Sequence, residues 1–215
     1  MPDRYRLIYR PLLLLAVALP LGWLTARGLE VLGPGLGANP VRETLHFTGK
    51  TALNLLLLTL LVSPLREWFR SPLLLRTRRI LGVAAFAYAL LHFTIYAALE
   101  LGLDFGDLGR ELARRPYITL GFAALLALAP LAATSTDRMM RRLGRRWATL
   151  HKLAYPAAIM AAWHFHWQVK AGVAEPLLYW AALALLLGWR AWRAWRRRSS
   201  GLTSKSAPAT ARGRT

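Results

Sequence analysis

The stretch ILGVAAFAYALLHFTIYAALEL, residues 80–101, carries no charged residue until Glu100 and holds one histidine, His92. At a rise of about 1.5 Å per residue, some 20 apolar residues span the roughly 30 Å hydrocarbon core of a bilayer. The stretch therefore reads as a membrane-crossing helix. An ionisable group at such depth is costly, and by default it marks a site. Working outward, five further apolar stretches lie near 11–26, 45–63, 117–134, 147–168 and 176–192. The first is the weakest, because Pro20 interrupts it and Arg27 ends it. Its basic start (Arg4, Arg6, Arg10) before a leucine run has the form of a signal peptide, but no small-residue cleavage pattern follows. We read it as an uncleaved first helix.

The expected architecture is an all-α integral membrane protein, a six-helix transmembrane bundle with both termini cytoplasmic. The composition agrees: 55% of the 215 residues are hydrophobic, and mean hydropathy is +0.31. A net charge of +19 raises the question of nucleic acid, and its distribution answers it. With the N-terminus inside, the inner segments carry 22 Lys and Arg, the outer loops carry 6, and Lys50 falls within the second span. That asymmetry follows the positive-inside rule, so the charge is mainly topological. The expected surroundings are a lipid bilayer, and no nucleic acid is involved.

Cysteine is absent, which excludes thiolate-held iron–sulfur clusters, disulfides and covalent c-type haem. Any haem must be held by histidine or methionine. Residues 1–198 read as one helical domain, and 199–215, rich in Ser, Ala, Thr and Gly, as a disordered cytoplasmic tail.

Histidine is the commonest protein ligand of haem iron, and three of the five histidines fall in or at the ends of apolar stretches: His92, His151 and His164. Counting rise from the inner helix starts puts His92 about 18 Å deep, His151 about 6 Å and His164 about 26 Å. His151 and His164 are about 20 Å apart along one axis and cannot share an iron. His92 and His164 differ by about 8 Å, which a kink at Pro156 and the reach of two side chains can close. A bis-histidine haem between the third and fifth helices, in the outer half of the membrane, is the economical reading. The competing one is packed histidines, each hydrogen-bonded to a neighbouring helix.

His151 keeps two readings: ligand of a second, inner haem, or an interfacial histidine binding a propionate or flavin group. His46 is expected as a capping or solvated group. His166 is turned roughly 200° from His164, and Met160 reads as core. Arg76, Arg78 and Arg79, with Arg138, Arg141, Arg142, Arg145 and Arg146, line two inner loops and read as topogenic charge or as forks for phosphate.

Six segments carry a resemblance: GANPVRETLHFTGKTALNLLL (37–57), SPLLLRTRRILG (71–82), LLHFTIYAALELG (90–102), RPYITLGF (115–122), TSTDRMMRRLGRRWATLHKLAYPAAI (134–159) and WHFHWQVK (163–170). In this order they resemble the MsrQ (formerly YedZ) family, the haem-binding membrane subunit of the bacterial MsrPQ methionine sulfoxide reductase system. The family belongs to the ferric-reductase-like transmembrane superfamily, which also includes the NADPH oxidases. The likeness covers nearly the whole chain apart from the tail.

The resemblance implies a b-type cytochrome of the bacterial inner membrane, with one haem b or two and FMN also attributed to it. Electrons would come from a cytoplasmic flavin reductase or membrane quinol and pass to MsrP, a periplasmic molybdopterin enzyme that repairs oxidised proteins. The family's functional histidines match His92, His151 and His164, and Arg78 and Arg79 are candidate cofactor-binding residues beside them. Two departures stand out. His166 occupies a position where an apolar residue is expected. Relative to the NADPH oxidases, the third helix lacks an inner histidine and no FAD/NADPH domain is present, so an external donor is expected. The alternatives are a stand-alone transmembrane metal reductase and a non-redox transporter or channel using its histidines as proton relays.

Overall fold

A computed structural model describes residues 5–71, 73–169 and 174–205, and every regular element among them is helical. A π turn over Tyr5–Tyr9 leads into α1 (Arg10–Gly28), followed by α2 (Pro40–Phe69) and α3 (Leu73–Ile95), which a π turn extends over Tyr96–Glu100. Then come α4 (Phe105–Arg114), α5 (Pro116–Ala133), α6 (Asp137–Leu143), α7 (Arg145–Leu150), a 3-10 turn over His151–Leu153, α8 (Ala154–Gln168) and α9 (Glu175–Lys205). Among the described residues four helices are long and apolar enough to cross a membrane: Leu7–Gly28, Pro40–Phe69, Leu73–Glu100 and Pro116–Ala133.

The local chemistry sets these boundaries. α2 starts earlier than its apolar run because Pro40 sits at the first helical position and the Asn39 side chain accepts the Arg42 amide at 3.0 Å. His46 is thus a full turn inside the helix and does not cap it. The expected fifth span is not one helix, because it breaks over His151–Leu153. Pro156 has no amide hydrogen for the Lys152 carbonyl and its ring crowds that carbonyl, which accounts for the break there. Pro20, by contrast, does not end α1. The Tyr88 hydroxyl enters the ladder beside it, donating to the Val17 carbonyl (2.9 Å) and accepting from the Leu21 amide (3.1 Å). α9 continues through Lys205, past the boundary expected at 198, since adding residues to a formed helix costs little. Residues 206–215 of the expected tail lie outside the described residues.

α2, α3, α5 and α8 pack in a closed ring, α2 on α3, α3 on α5, α5 on α8 and α8 on α2. α9 lies against α8 and α2, and α1 against α2 and α3. The seams are built on small residues: Ala85, Ala157, Ala158 and Thr48 are fully buried. Small side chains let backbones approach closely, which is how helices associate in lipid. The outside is apolar: Leu12, Leu15, Leu19 and Leu185 each expose 60–75% of their surface. In water that would be an aggregation hazard, and in a bilayer it is the contact surface.

Candidate functional site

The ring of four helices encloses a cavity of about 580 Å³, within the range of small-molecule and cofactor sites. Its deep part is apolar, lined by Leu53, Leu56, Ala89, Leu125, Leu128 and Ala161. Its other end is polar, where Asn39, Arg42, His46, Glu100, Arg115 and Gln168 gather at the termini of the helices. His92 from α3 and His164 from α8 line it from different helices.

The two rings stand with centres 6.2 Å apart and planes at 76°. The two rings meet despite the depth gap of about 8 Å counted along straight helices, and the chain between them is not one straight helix but breaks over His151–Leu153. Each ring is anchored the same way. His92 Nδ1 lies 2.9 Å from the Leu45 carbonyl of α2, with Thr48 Oγ1 at 3.4 Å. His164 Nδ1 lies 2.7 Å from the Tyr117 carbonyl of α5, and its ring lies along that of Tyr117. A carbonyl only accepts, so each Nδ1 carries the proton and donates. Each Nε2 is then left with a lone pair, and neither has a hydrogen-bond partner among the described residues.

Glycine makes these approaches possible. A Cβ at Gly49 would stand 3.1 Å from His92 Nδ1, and one at Gly121 would stand 2.8 Å from His164 Nδ1. Each histidine therefore sits in a notch of one design: a carbonyl at position i (Leu45, Tyr117) and a glycine at i+4 (Gly49, Gly121). The sequence reading missed both notches. The available signal was a lone glycine within an apolar helix, which marks close approach.

The corner between α4 and α5 holds Tyr117 in place. Arg115 donates from Nη1 to the Tyr117 hydroxyl (3.3 Å) and pairs through Nε with Glu111 Oε2 (3.0 Å), which also accepts from Tyr96 (3.3 Å).

Two imidazoles ligating one iron from opposite faces through Nε2, with metal–nitrogen bonds of about 2 Å, have ring centres roughly 6 Å apart. The observed separation fits. Among the described residues no group of three or more His, Cys, Asp or Glu is placed to hold a metal ion. A bare ion would lack ligands here, whereas haem brings four nitrogens of its own. The apolar floor and polar mouth likewise match an amphipathic macrocycle. The residues present fit haem b.

His151 is elsewhere. It does not line the cavity, and its ring stacks on Trp147 at 3.9 Å with Nδ1 3.1 Å from the Trp147 carbonyl. Its Nε2 is buried and makes no well-formed hydrogen bond among the described residues, with the Leu131 carbonyl within reach of the ring. Arg78, half-buried, lies within electrostatic range of His151, Tyr155 and Arg190. Arg79 is paired with Asp137 at 2.6 Å, which joins the start of α3 to α6 and holds the Asp137 carboxyl below the usual carboxylate range. His166 is exposed, and Met160 does not line the cavity. His46 does not cap a helix but is exposed, the second of its two expected roles, and its ring lies 5.9 Å from that of Phe165 at the cavity mouth.

Residues 48–162 match the family described as the ferric reductase like transmembrane component. The chain is 47% identical over 193 residues to a protein-methionine-sulfoxide reductase heme-binding subunit MsrQ of Xanthomonas campestris pv. campestris strain 8004, covering 89% of this chain and 88% of that one. It is 51% identical over 170 residues to the subunit of the same name from Salmonella arizonae, covering 79% and 83%. No solved structure matches it.

Proposed function

We propose, from the premise that this chain belongs to the MsrQ family of heme-binding subunits within the ferric-reductase-like transmembrane proteins, that it is a membrane b-type cytochrome serving a methionine sulfoxide reductase. The observation that carries the reading is the facing pair His92 and His164, each with Nδ1 tied to a carbonyl and Nε2 left to ligate.

Bound haem b supplies one-electron redox chemistry. The protein's part is to orient two imidazoles and exclude water. Donation from Nδ1 to a carbonyl fixes tautomer and ring angle and raises the basicity of Nε2. The apolar floor of Leu53, Leu56, Leu125 and Leu128 would keep the surroundings of a bound haem dry and of low dielectric. Met160 and His166 stay outside this arrangement.

The topology proposed is six crossings with both termini cytoplasmic, α8 and α9 being the fifth and sixth. The charge asymmetry supports it, as does the Arg79–Asp137 contact between the start of α3 and α6. The cavity mouth then faces the periplasm of the inner membrane. There the acceptor would be a molybdopterin methionine sulfoxide reductase, MsrP, acting on oxidised periplasmic proteins. A cytoplasmic flavin reductase or membrane quinol would donate. The cluster of His151, Arg78 and Arg79 at the inner end is the candidate place for a second haem or for FMN. The buried His151 Nε2, which makes no well-formed hydrogen bond, supports an axial role, and the arginines support binding of an anionic group.

Purified full-length protein tests this by a pyridine haemochrome assay normalised to protein and a dithionite difference spectrum. A low-spin bis-histidine signal is expected in the wild type. His92→Ala and His164→Ala should each abolish or severely distort it, and His166→Ala should be nearly silent. A wild-type spectrum in either of the first two variants refutes the pairing, and haem-replete growth yielding no Soret band favours a transporter. The name of the matching family favours one second reading, a stand-alone metal reductase. Assaying membranes with ferric chelates against a periplasmic reductase as acceptor separates the two.

A further inference from the structure

Two histidines define where an iron sits but not which way a macrocycle faces. Haem b carries both carboxylates on one edge, and the cavity has one apolar end and one polar end. Burying two carboxylates against Leu53, Leu56, Leu125 and Leu128 would leave charge unpaired in a dry site, so the acidic edge faces the mouth. Three cations line that region: Arg42, Lys50 and Arg115. Arg115 is committed to Glu111 and Tyr117, and Lys50 is paired with Glu175 at the start of α9. Arg42 has no ion-pair partner among the described residues.

Arg42, His46 and Lys50 follow one another at four-residue spacing, so they share a face of α2 within an arc of about 80°. His46, the middle member of this stripe, lies within electrostatic range of both cations and of His92, and all four line the cavity. Gly49, against His92, sets the level of the iron along the helix. Arg42 is seven residues toward the outer end, about 10 Å along the axis. A carboxylate edge that points outward from an iron at the level of Gly49 heads toward Arg42 and His46.

We propose that Arg42 and His46 form the carboxylate-binding subsite of this cavity and set the orientation of the haem. Arg42 supplies a fork of donors suited to a carboxylate. Lys50, held by Glu175, closes the flank beneath them. This assignment rests on the haem reading above.

The experiment compares haem b with its dimethyl ester, which keeps the ring and iron but lacks the charges. Full-length wild type, R42Q, H46Q and R42K are reconstituted with each, and release to an excess of a haem-scavenging apoprotein is timed. Loss of a hydrogen bond to a charged group should speed release about tenfold to a hundredfold. The wild type should therefore lose the ester that much faster than haem b. R42Q should bring haem b up to the ester rate and leave the ester rate unchanged. H46Q should do so in part, and R42K should restore most of the difference. The midpoint potential of haem b should fall in R42Q, because a nearby cation favours the reduced iron. Equal acceleration of both porphyrins in R42Q and H46Q, or no effect on either, overturns the subsite. A wild type that shows no bis-histidine signal with either porphyrin would instead overturn the haem reading itself.

Discussion

At the scale of the residue, one hydrogen bond decides what each imidazole can do. A neutral histidine has one protonated and one free nitrogen, and a carbonyl at Nδ1 settles which is which. The notch that provides the carbonyl also requires glycine four residues on. This predicts an order of effects. Gly121→Ala puts a methyl at 2.8 Å from His164 Nδ1, closer than the 3.1 Å at Gly49. Overpacking of this kind costs about 1–3 kcal/mol, so haem affinity should fall roughly tenfold to a hundredfold in Gly121→Ala. Gly49→Ala should fall less. Haem retention and the low-spin fraction measure it, and unchanged spectra in both variants would show the notches to be incidental.

At the scale of the element, the informative feature is the interrupted helix from Arg145 to Gln168. α8 buries Ala154, Ala157, Ala158, Ala162 and Phe165, whereas no whole residue of α7 or the 3-10 turn is buried. α8 is therefore the more firmly anchored, and the segment before it is held chiefly by the Trp147 indole, which donates to the Thr134 carbonyl at 3.0 Å. Three residues converted from 3-10 to α geometry change the twist by about 60°. Pro156→Ala restores an amide donor to the Lys152 carbonyl and lets the helix become continuous. The anchored end should hold still while α7 and His151 rotate. Hydrogen exchange over 145–153 should slow, with the His92–His164 signal retained. Loss of that signal would mean α8 is the mobile partner.

At the scale of the whole molecule, the distribution of charge and of exposed leucine sets how the bundle sits in a membrane. The absence of cysteine gives a clean background for measuring it. Gly109 in α4 has open space around its Cβ position, and Arg138 in α6 is exposed. Gly109→Cys should react with an impermeant maleimide from the outer side of intact cells, and Arg138→Cys only after permeabilisation. The reverse pattern would invert the topology and move the cavity mouth to the cytoplasm.

Helical class, the apolar stretches and the candidates His92 and His164 were legible in the chain alone, because hydropathy and spacing are local properties. The helix break was half legible, since Pro156 announces a lost hydrogen bond but not where the axis yields. Other features depended on which helices become neighbours. The carbonyls of Leu45 and Tyr117 are backbone atoms, invisible to any reading of side chains. Gly49 and Gly121 acquire meaning only when a histidine from another helix packs against them. His46 is expected to cap or to be solvated because the apolar run starts at 45; Asn39 and Pro40 start the helix earlier, so it does not cap, and it sits exposed at the cavity mouth. The sequence determined that two imidazoles would lie within long apolar stretches of the chain. Tertiary packing decided that they face each other, because distance between helices is set by small residues meeting across a seam and not by the order of residues along a chain.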